Sequence, residues 1–366
     1  MQVAQQNNFF QTLKSHQESI NGFLKKFLDN NESSFENKYG TYSKQSFAEF
    51  SSVALRGGKR IRGSLVLESY KMHGGEDYET ALVLASAIEL IHAYLLVVDD
   101  FCDESDTRRG LPSVNKSIET LHANKKWKGS SDHFGNSIAV NIALVGKELA
   151  NSLILNMPVS AEVKVNILVN LTESLIITGH GQINDIYNEV LPDVSDDMIK
   201  NVLSWKTGYY SFYNPIEAGA LLAQPKYKAD QNLINYSITL GNAFQIKDDI
   251  IGIYGDDLKT GKSNLDDIKE GKMTIIYKKA IELSAGQDRK YLDKMLGNIN
   301  VNKGDLAKIK QIMTDTGALL ATTKIIDENI STARESLVQL KTKNNINAES
   351  ISFLNDLCTL VAQREN

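Results

Sequence analysis

Proline and cysteine are scarce in this sequence. Five prolines occur among 366 residues. Because proline lacks a backbone N–H and clashes with the preceding helical turn, their scarcity favours long helices. The two cysteines, Cys102 and Cys358, are too few for a disulfide framework and are typical of a protein from a reducing compartment. We therefore expect a cytoplasmic protein.

An excess of positive charge is also missing. The formal net charge is −5 at pH 7, which argues against nucleic-acid binding because that function usually needs a basic face. The N-terminal residues lack the basic flank and apolar region of a signal peptide. One apolar run, ALVLASAIELIHAYLLVV at residues 81–98, approaches the length of a membrane span. Glu89 and His92 interrupt it, so we predict a buried core helix and no membrane span.

Helical periodicity dominates the rest of the chain. Apolar residues recur every three or four positions in VKVNILVNLTESLIITGHGQINDIY, in LINYSITLGNAFQIKDDIIGIYG and in SISFLNDLCTLVAQ. Alternating runs long enough for a sheet are absent. Turn residues cluster at 72–77, 125–136, 191–197 and 298–305. No repeat or biased linker divides the chain, so we predict a single all-α domain over residues 1–366.

Carboxylates concentrate where the long apolar run ends, in VVDDFCDESDTRRG at residues 97–110. On a helix, Asp99 and Asp103 lie one turn apart on one face, and Asp100 lies about 100° round from Asp99. Such carboxylates repel each other unless a cation lies between them. Mg²⁺ favours one or two carboxylates with waters and phosphate oxygens, and Arg108 and Arg109 offer the forked donors that suit phosphate. A solvated, self-neutralising helix end is the alternative.

A second acidic cluster lies far along the chain, in FQIKDDIIGIYGDD at residues 244–257. Asp248 and Asp249 again end an apolar helical run, and two such helices facing each other in a bundle can hold metal ions. Cations accompany both clusters: GGKRIRG at residues 57–63 follows two glycines that allow close approach to phosphate. Three further lysines lie beside a glycine or two positions before one: Lys206, Lys262 and Lys272. Singly, each is typical of a solvated surface; together they fit a diphosphate and magnesium site.

Five of these segments resemble, in order, the motifs of the trans-isoprenyl diphosphate synthases, the head-to-tail prenyltransferases. GGKRIRG is similar to their GGKxxR motif, and DDFCDESDTRRG to their first aspartate-rich motif. GQINDI at residues 181–186 resembles GQxxD, KTGYYSFYNP at residues 206–215 resembles the KT segment, and FQIKDDIIGIYGDD resembles the second aspartate-rich motif. The resemblance covers residues 57 to about 273, most of the chain.

The resemblance implies the isoprenoid synthase fold, a single large helical bundle around a central active-site cavity, in a homodimer. It also implies a reaction. An allylic diphosphate (dimethylallyl, geranyl or farnesyl) ionises to a carbocation with the help of Mg²⁺, three ions per active site. The double bond of isopentenyl diphosphate then attacks, and a proton is lost to the released diphosphate. Cations that stabilise the leaving group supply the catalysis.

The same resemblance assigns roles to individual residues. Metal ions fall to Asp99, Asp103 and Asp248, with Asp100 and Asp249 beside them. The allylic diphosphate falls to Arg108, Lys206 and Lys262. Isopentenyl diphosphate falls to Gly58, Lys59, Arg62, His92 and Arg109. Thr207, Gln182 and Gln245 lie near the carbocation, Asp185 near the allylic lysine, and Tyr210 and Phe244 along the chamber. From the residues alone, His92 could equally be a core histidine.

Three departures from the family pattern stand out. Gly252 occupies a position where many members carry a third aspartate, so the carboxylate one turn after Asp248 is missing. Gly63 replaces a frequent proline, which we expect to matter little. The segment at residues 117–136 is longer than its counterpart in compact family members, and we expect it to form a polar surface insertion.

Product length depends on the residues one turn before Asp99, where side chains share its helix face. The resemblance implies that Tyr94 forms the floor of the cavity that holds the growing prenyl chain. Beside it stands Leu95 and not a second aromatic residue. We therefore expect geranylgeranyl diphosphate as the product, with farnesyl diphosphate as the alternative.

Three other functions compete with that of a synthase. A class I terpene cyclase also ionises diphosphates, but it typically has a different second motif and no GGKRIRG counterpart. A non-catalytic subunit of a heteromeric prenyltransferase typically loses the aspartates, and both pairs are present here. A generic helical scaffold would explain the helices but not the ordered motifs.

Overall fold

The computed structural model describes residues 2–256, 263–341 and 347–364, and side chains from residue 8 onward. Lys262 lies outside the described residues. Nearly all of the described chain is helical, and its strands are the two-residue pair β1 (Thr107–Arg108) and β2 (Leu111–Pro112). The predicted all-α class is confirmed.

The chain forms two compact units. Unit 1 consists of Met1–Leu168 and Ala218–Lys226, and unit 2 of Val169–Glu217 and Tyr227–Asn366. Two helices, α7 (Ala161–Val190) and α9 (Asn214–Ala223), each contain a boundary between the units.

Helix α4 is the centre of unit 1. The helices before and after it are α1 (Gln2–Tyr39), α2 (Thr41–Leu55), α3 (Ile61–Met72), α4 (Tyr78–Cys102), α5 (Val114–Lys125) and α6 (Ser131–Leu155). All five others pack against α4. Its N-terminus is capped by Asp77, whose side chain accepts a hydrogen bond from the Thr80 N–H at 3.1 Å. Most of its residues are buried, among them Leu84, Leu90 and Val97.

Two helices, α4 and α6, are long and apolar enough to cross a membrane by length and composition alone. Core helices of soluble proteins pass the same test. In α4, 67% of the most apolar 18-residue stretch is buried, which fits the predicted core helix. In α6, the buried share of the corresponding stretch is 33%. Helix α6 therefore leaves apolar side chains exposed, among them Val140 and Leu144.

Residues 117–136 are not the expected polar surface insertion. They form most of α5 and the start of α6, and Ile118 and His122 are buried. Trp127 packs edge-on against His122 and Phe134, with ring centroids 5.9 and 5.7 Å apart. The expectation was wrong because the lysines, serines and glycines of this segment conceal apolar residues at helical spacing.

Unit 2 is built around α10. After α7 come α8 (Asp196–Val202), a π-helical segment (Leu203–Tyr213), α9, α10 (Gln231–Tyr254), α11 (Asp266–Glu270), α12 (Ile275–Leu283), α13 (Gly286–Met295), α14 (Lys303–Asp315), α15 (Ala318–Lys341) and α16 (Ala348–Ala362). Helix α10 packs against the π-helical segment, α12, α14, α15 and α16. Tyr236 of α10 is fully buried, and its hydroxyl donates to the Leu354 carbonyl at 2.8 Å.

The π-helical segment crosses α10 at two glycines. A Cβ added to Gly241 would lie 2.5 Å from the Cα of Gly208, so the two backbones are nearly in contact. This crossing positions Thr207, which directly precedes Gly208, and Gln245, which lies one turn after Gly241 on α10. Helical periodicity does not reveal the wider winding of KTGYYSFYNP, which proteins frequently adopt at functional sites.

We expect Gly241→Ala to lower the free energy of unfolding by about 1–3 kcal/mol, because the new methyl group meets backbone that cannot rotate away. Chemical denaturation measures the difference. Gly22→Ala is the matched control, since no heavy atom lies within 4 Å of a Cβ added there in α1. It should raise stability by up to about 1 kcal/mol through helix propensity. Equal effects of the two substitutions would contradict this role of Gly241.

Candidate active site

Three carboxylates crowd the C-terminal end of α4. The N–H of Asp103 donates to the Asp99 carbonyl at 2.8 Å, so these residues lie one helical turn apart as predicted. Asp100 is 1% exposed and Asp103 is 9% exposed. The C-terminus of a helix carries partial negative charge, which disfavours carboxylates. This cluster therefore needs cations to be stable.

Arg108 supplies one such cation. Its Nε donates to Asp100 Oδ1 at 2.8 Å, and its Nη2 donates to Asp99 Oδ2 at 3.0 Å. Burial alone would lower the pKa of Arg108, but the two carboxylates outweigh burial and raise it above its ordinary value. The side chain expected to bind the allylic diphosphate thus neutralises two aspartates in the structure.

A tight hairpin sends the two arginines to different partners. Arg108 pairs with Leu111 across the hairpin, and the loop between them is Arg109-Gly110, with φ of 55° and 75°. Two positive φ values in a two-residue loop are typical of a type I′ turn. Arg109 donates through Nη1 to the carbonyls of Arg56 and Gly57 at 2.8 and 2.6 Å.

Arg56 holds this hairpin in place and was missed from the sequence. Its Nη1 donates to the Pro112 carbonyl at 2.6 Å, and its Nε donates to Ser52 Oγ at 3.1 Å. The guanidinium of Arg109 in turn lies against Gly58. Nothing in the local sequence pairs Arg56 with a hairpin so far along the chain, so only the fold could reveal it.

A cluster of cations surrounds His92. Arg62 Nη1 lies 3.3 Å from His92 Nε2. Burial, followed by the charges of Arg62, Arg109, Arg108 and Arg60, holds the pKa of His92 well below its ordinary value. The imidazole is therefore neutral. The structure places His92 and Arg62 together and brings Arg109 near them. Lys59 is exposed on the adjoining loop.

Arg60 is structural, although it belongs to the same basic segment. It is 5% exposed, and it donates to Glu89 Oε2 at 3.3 Å, to Asn21 Oδ1 at 2.8 Å and to the Ala54 carbonyl at 2.7 Å. Glu89 also accepts from the Gly63 N–H at 2.9 Å. Proline at position 63 could not make that bond, so Gly63 matters more than expected.

In unit 2, hydrogen bonds join the residues of three motifs. Lys206 Nζ lies 2.7 Å from Asp185 Oδ2, as predicted. Thr207 Oγ1 donates to Gln245 Oε1 at 2.6 Å, and Gln245 Nε2 donates to Asp249 Oδ1 at 2.9 Å. Gln182 has a buried side-chain nitrogen with no hydrogen-bond partner among the described residues. Its amide is available to a ligand.

Asp248 and Asp249 lie within α10, which continues to Tyr254 as the helical periodicity of LINYSITLGNAFQIKDDIIGIYG predicts. Burial raises the pKa of Asp249 to about 8, with repulsion from Asp267, Asp248 and Asp185 adding to it. The hydrogen bond from Gln245 offsets part of this shift. Negative charge is thus in excess around Asp249.

Arg364, near the end of the chain, pairs with Asp248 and was missed from the sequence. Its Nη1 lies 2.5 Å from Asp248 Oδ1, and its guanidinium lies 4.5 Å from the centroid of the Phe244 ring. Phe244 also packs edge-on against Phe212 at 5.7 Å. An arginine beyond the last helix carries no motif that could identify it.

The predicted residues of the chamber, Tyr94, Leu95 and Tyr210, are half-buried. Tyr94 and Leu95 lie on α4, five and four residues before Asp99. Tyr210 is half-buried in the π-helical segment. Such partial exposure fits side chains in the wall of a cavity that a bound ligand would cover.

The donor set fits magnesium. Each unit offers carboxylate oxygens, which Mg²⁺ prefers, from Asp99, Asp100 and Asp103 in unit 1 and from Asp248 and Asp249 in unit 2. The raised pKa of Asp249 shows that carboxylates are crowded beyond what the neighbouring cations neutralise. A divalent cation would relieve that repulsion.

The polyprenyl synthetase family model matches residues 44–313, and this chain belongs to that family. The geranylgeranyl diphosphate synthase of Sulfolobus acidocaldarius is 29% identical over 308 residues, which cover 81% of this chain and 85% of that protein. The farnesyl pyrophosphate synthase of Saccharomyces cerevisiae is 31% identical over 276 residues, covering 71% and 72%. The predicted trans-prenyltransferase class is confirmed.

A solved structure agrees in fold. The geranylgeranyl pyrophosphate synthase of Corynebacterium glutamicum, complexed with isoprenyl diphosphate and magnesium, superimposes with a TM-score of 0.88. Its sequence is 27% identical, and the alignment covers 96% of this chain and 99% of that one. The all-α isoprenoid synthase fold is thereby confirmed.

We expect the pKa of Asp249 to make stability depend on pH in the metal-free protein. Between its ordinary value of 3.8 and about 8, the folded state keeps a proton that the unfolded chain has lost, so this contribution to stability falls as pH rises. The slope is at most about 1.4 kcal/mol per pH unit.

Asp249→Asn should remove that slope. Urea denaturation from about pH 5 to about pH 8 compares the two proteins at each pH, and wild type should lose stability relative to the variant as pH rises. Parallel stability profiles would show that Asp249 does not hold the proton.

Proposed function

We propose that this protein condenses isopentenyl diphosphate with an allylic diphosphate to form geranylgeranyl diphosphate. The observation that carries the proposal is the division of Arg108 from Arg109 by the type I′ hairpin. Arg108 lies among carboxylates, whereas Arg109 lies with Arg62 and His92. One diphosphate group fits each environment, and a head-to-tail condensation uses two.

The carboxylate environment suits the allylic diphosphate. Asp99 and Asp103 in unit 1 and Asp248 in unit 2 would hold magnesium, with Asp100 and Asp249 beside them and three ions per active site. Bound magnesium stabilises the negative charge that develops on the departing diphosphate. Arg108 would exchange its carboxylate partners for phosphate oxygens, and Lys206, held by Asp185 at 2.7 Å, would donate to the same group.

Oxygen dipoles stabilise the carbocation left after ionisation, whereas a nucleophile in contact with it would react with it. Thr207 and Gln245 share a hydrogen bond of 2.6 Å, which fixes both side chains and prevents either from rotating freely. Their oxygens, together with the amide of Gln182, would face positive charge. Fixed dipoles that require no reorganisation are the main source of electrostatic catalysis.

The cationic environment suits isopentenyl diphosphate without metal. Arg62, Arg109 and Lys59 carry the charge, and His92 remains neutral and can donate or accept a hydrogen bond. Glu89 lies beside them, and its carboxylate is engaged by Arg60 and the Gly63 N–H. A terpene cyclase needs no second diphosphate site of this kind, so the cluster favours a synthase.

Chain length is proposed from α4. Tyr94 blocks elongation one turn before Asp99, and Leu95 beside it leaves more room than an aromatic residue would. This supports geranylgeranyl diphosphate. Farnesyl diphosphate is the second candidate, favoured by the likeness to the yeast farnesyl pyrophosphate synthase.

The active form is proposed to be a homodimer of a single catalytic domain. Helix α7 exposes an apolar stripe with the spacing of one helix face, formed by Val165, Val169, Ile176, Ile183, Tyr187 and Val190. Val140 and Leu144 of α6 are also exposed. A self-complementary partner would cover it, and light scattering should give twice the mass of one chain. Because no disulfide joins Cys102 and Cys358, we propose a cytoplasmic location.

Separate substitutions should distinguish the two diphosphate sites. We expect Arg109→Gln to raise the KM for isopentenyl diphosphate about tenfold or more, with little change for the allylic substrate, because a charged hydrogen bond to phosphate contributes about 1.5–3 kcal/mol. Arg108→Gln should raise the KM for the allylic diphosphate and lower kcat. Steady-state kinetics with magnesium and each substrate varied in turn measure both.

Arg289→Gln is the control, because Arg289 is exposed on α13 and pairs with Asp293. It should leave both KM values unchanged. If Arg108→Gln and Arg109→Gln shift the same KM, the two-site proposal is wrong, and failure of wild type to elongate any allylic diphosphate would overturn the synthase itself.

Tyr94→Ala should lengthen the product, because removing the ring opens the floor beneath the growing chain. Mass spectrometry of the products from isopentenyl and farnesyl diphosphates measures the distribution. Tyr78→Ala makes the same change at the other, exposed end of α4 and should leave the distribution unchanged. Unaltered lengths in Tyr94→Ala would refute the floor.

A further inference from the structure

An aromatic surface lies where the turn between α1 and α2 meets the loop between α5 and α6. Gly40, with φ of 87°, separates the first two helices, and Tyr39 and Tyr42 on either side of it are 69% and 73% exposed. The Tyr42 ring packs edge-on against Trp127 of the second loop, with centroids 6.0 Å apart. The two tyrosines therefore leave most of their apolar ring surface in water, where it contributes nothing to folding.

The rings of this surface are held by the residues beneath them. Trp127 packs edge-on against His122 and Phe134, and its N–H donates to the His122 carbonyl at 3.3 Å. The Tyr39 ring packs against Phe35 at 5.8 Å. Side chains that are already fixed lose little conformational entropy when a partner covers them. The surface is thus prepared for binding.

The two segments that form this surface are basic. Residues 37–48 and 120–131 contain five lysines and no aspartate or glutamate, although the whole chain has a net charge of −5. Lys44 pairs with Glu36 of α1 at 2.5 Å. The other four are exposed and form no ion pair with any residue that the structure describes: Lys38, Lys125, Lys126 and Lys128. Their positive charge is left for a partner to neutralise.

We propose that this surface binds the anionic surface of a lipid membrane. We call it the aromatic–basic patch, and it consists of Tyr39, Tyr42, Trp127 and the four exposed lysines. Tryptophan and tyrosine concentrate at membrane–water interfaces, because each has an apolar ring and a polar tip. Lysines near them are attracted to anionic headgroups. The inference goes beyond the proposed function and does not depend on it, since it concerns where the protein binds.

The arrangement differs from that of an ordinary solvated surface, on which lysines usually alternate with carboxylates. Lys25 of α1 shows the usual case, since it lies 2.8 Å from Asp29 one turn away. Beside the patch, the first carboxylate after the loop is Asp132, which accepts a hydrogen bond from Asn136 at 3.2 Å. A protein partner is disfavoured because protein interfaces are depleted of lysine. Anionic lipid meets both the lysines and the rings.

Vesicle flotation tests the proposal with the full-length protein. One set of vesicles is an equimolar mixture of phosphatidylcholine and phosphatidylglycerol, and the other is phosphatidylcholine alone. We expect the protein to bind the anionic vesicles at least about 100-fold more tightly than the neutral ones, and more weakly as salt is added. Equal binding to both kinds of vesicle, or binding to neither, would overturn the proposal.

Removing three of the lysines together should weaken this binding. We expect the triple variant Lys125→Gln, Lys126→Gln and Lys128→Gln to bind anionic vesicles about 100-fold less tightly, since each lysine near such a surface contributes about fivefold. The matched control changes three exposed lysines of α13 and α15 in the same way: Lys290, Lys294 and Lys324. It alters the net charge equally and should keep wild-type binding. Equal losses in the two triple variants would contradict the patch.

Tryptophan fluorescence tests whether the rings enter the membrane. The chain has two tryptophans, Trp127 and Trp205, and Trp127→Phe identifies the share of the emission that comes from Trp127. Anionic vesicles with brominated acyl chains should quench that share, because a ring at the interface lies within reach of the chains. If protein bound to these vesicles keeps the full emission of Trp127, the patch is not the surface that binds.

Discussion

The site in unit 1 depends on the contact between Arg108 and the aspartates at the end of α4. Burying Asp100 at a helix C-terminus is unfavourable, because both the low polarity of the interior and the helix dipole oppose a negative charge. Arg108 offsets this with hydrogen bonds to Asp99 and Asp100. To reach them, the chain must turn back at once, and the hairpin that turns it also directs Arg109 to the cationic cluster.

Unit 2 meets the same electrostatic demand with partners from distant parts of the chain. Asp185 is paired with Lys206, Asp248 with Arg364, and Asp249 with Gln245. These contacts remain insufficient at Asp249, whose pKa is raised to about 8. Such a surplus of carboxylate would be costly in a scaffold. It is understandable in an enzyme that binds divalent cations and a diphosphate, because those ligands complete the balance of charge.

Sequence periodicity predicted the helices well, and some residues that the motifs single out lie in contact, as Lys206 does with Asp185 and Thr207 with Gln245. Where prediction failed, the cause was a contact that local sequence cannot express. Arg60 looks like its phosphate-binding neighbours but is buried against Glu89. Residues 117–136 look polar, yet Ile118 and Trp127 pack inside or beside helices. Arg56 and Arg364 lack a motif of their own, so their partners became visible only in the fold.

The sequence by itself determined the family, the all-α class, and the identity and spacing of the acidic and basic motifs, because these depend on helical period and on which side chains can bind metal or phosphate. Tertiary structure alone decided how the charges are shared. It turned Arg108 and Arg109 apart, assigned Arg60 to the core, and paired Arg364 with Asp248. Coulombic balance depends on distances between residues far apart in the chain, and only folding sets those distances.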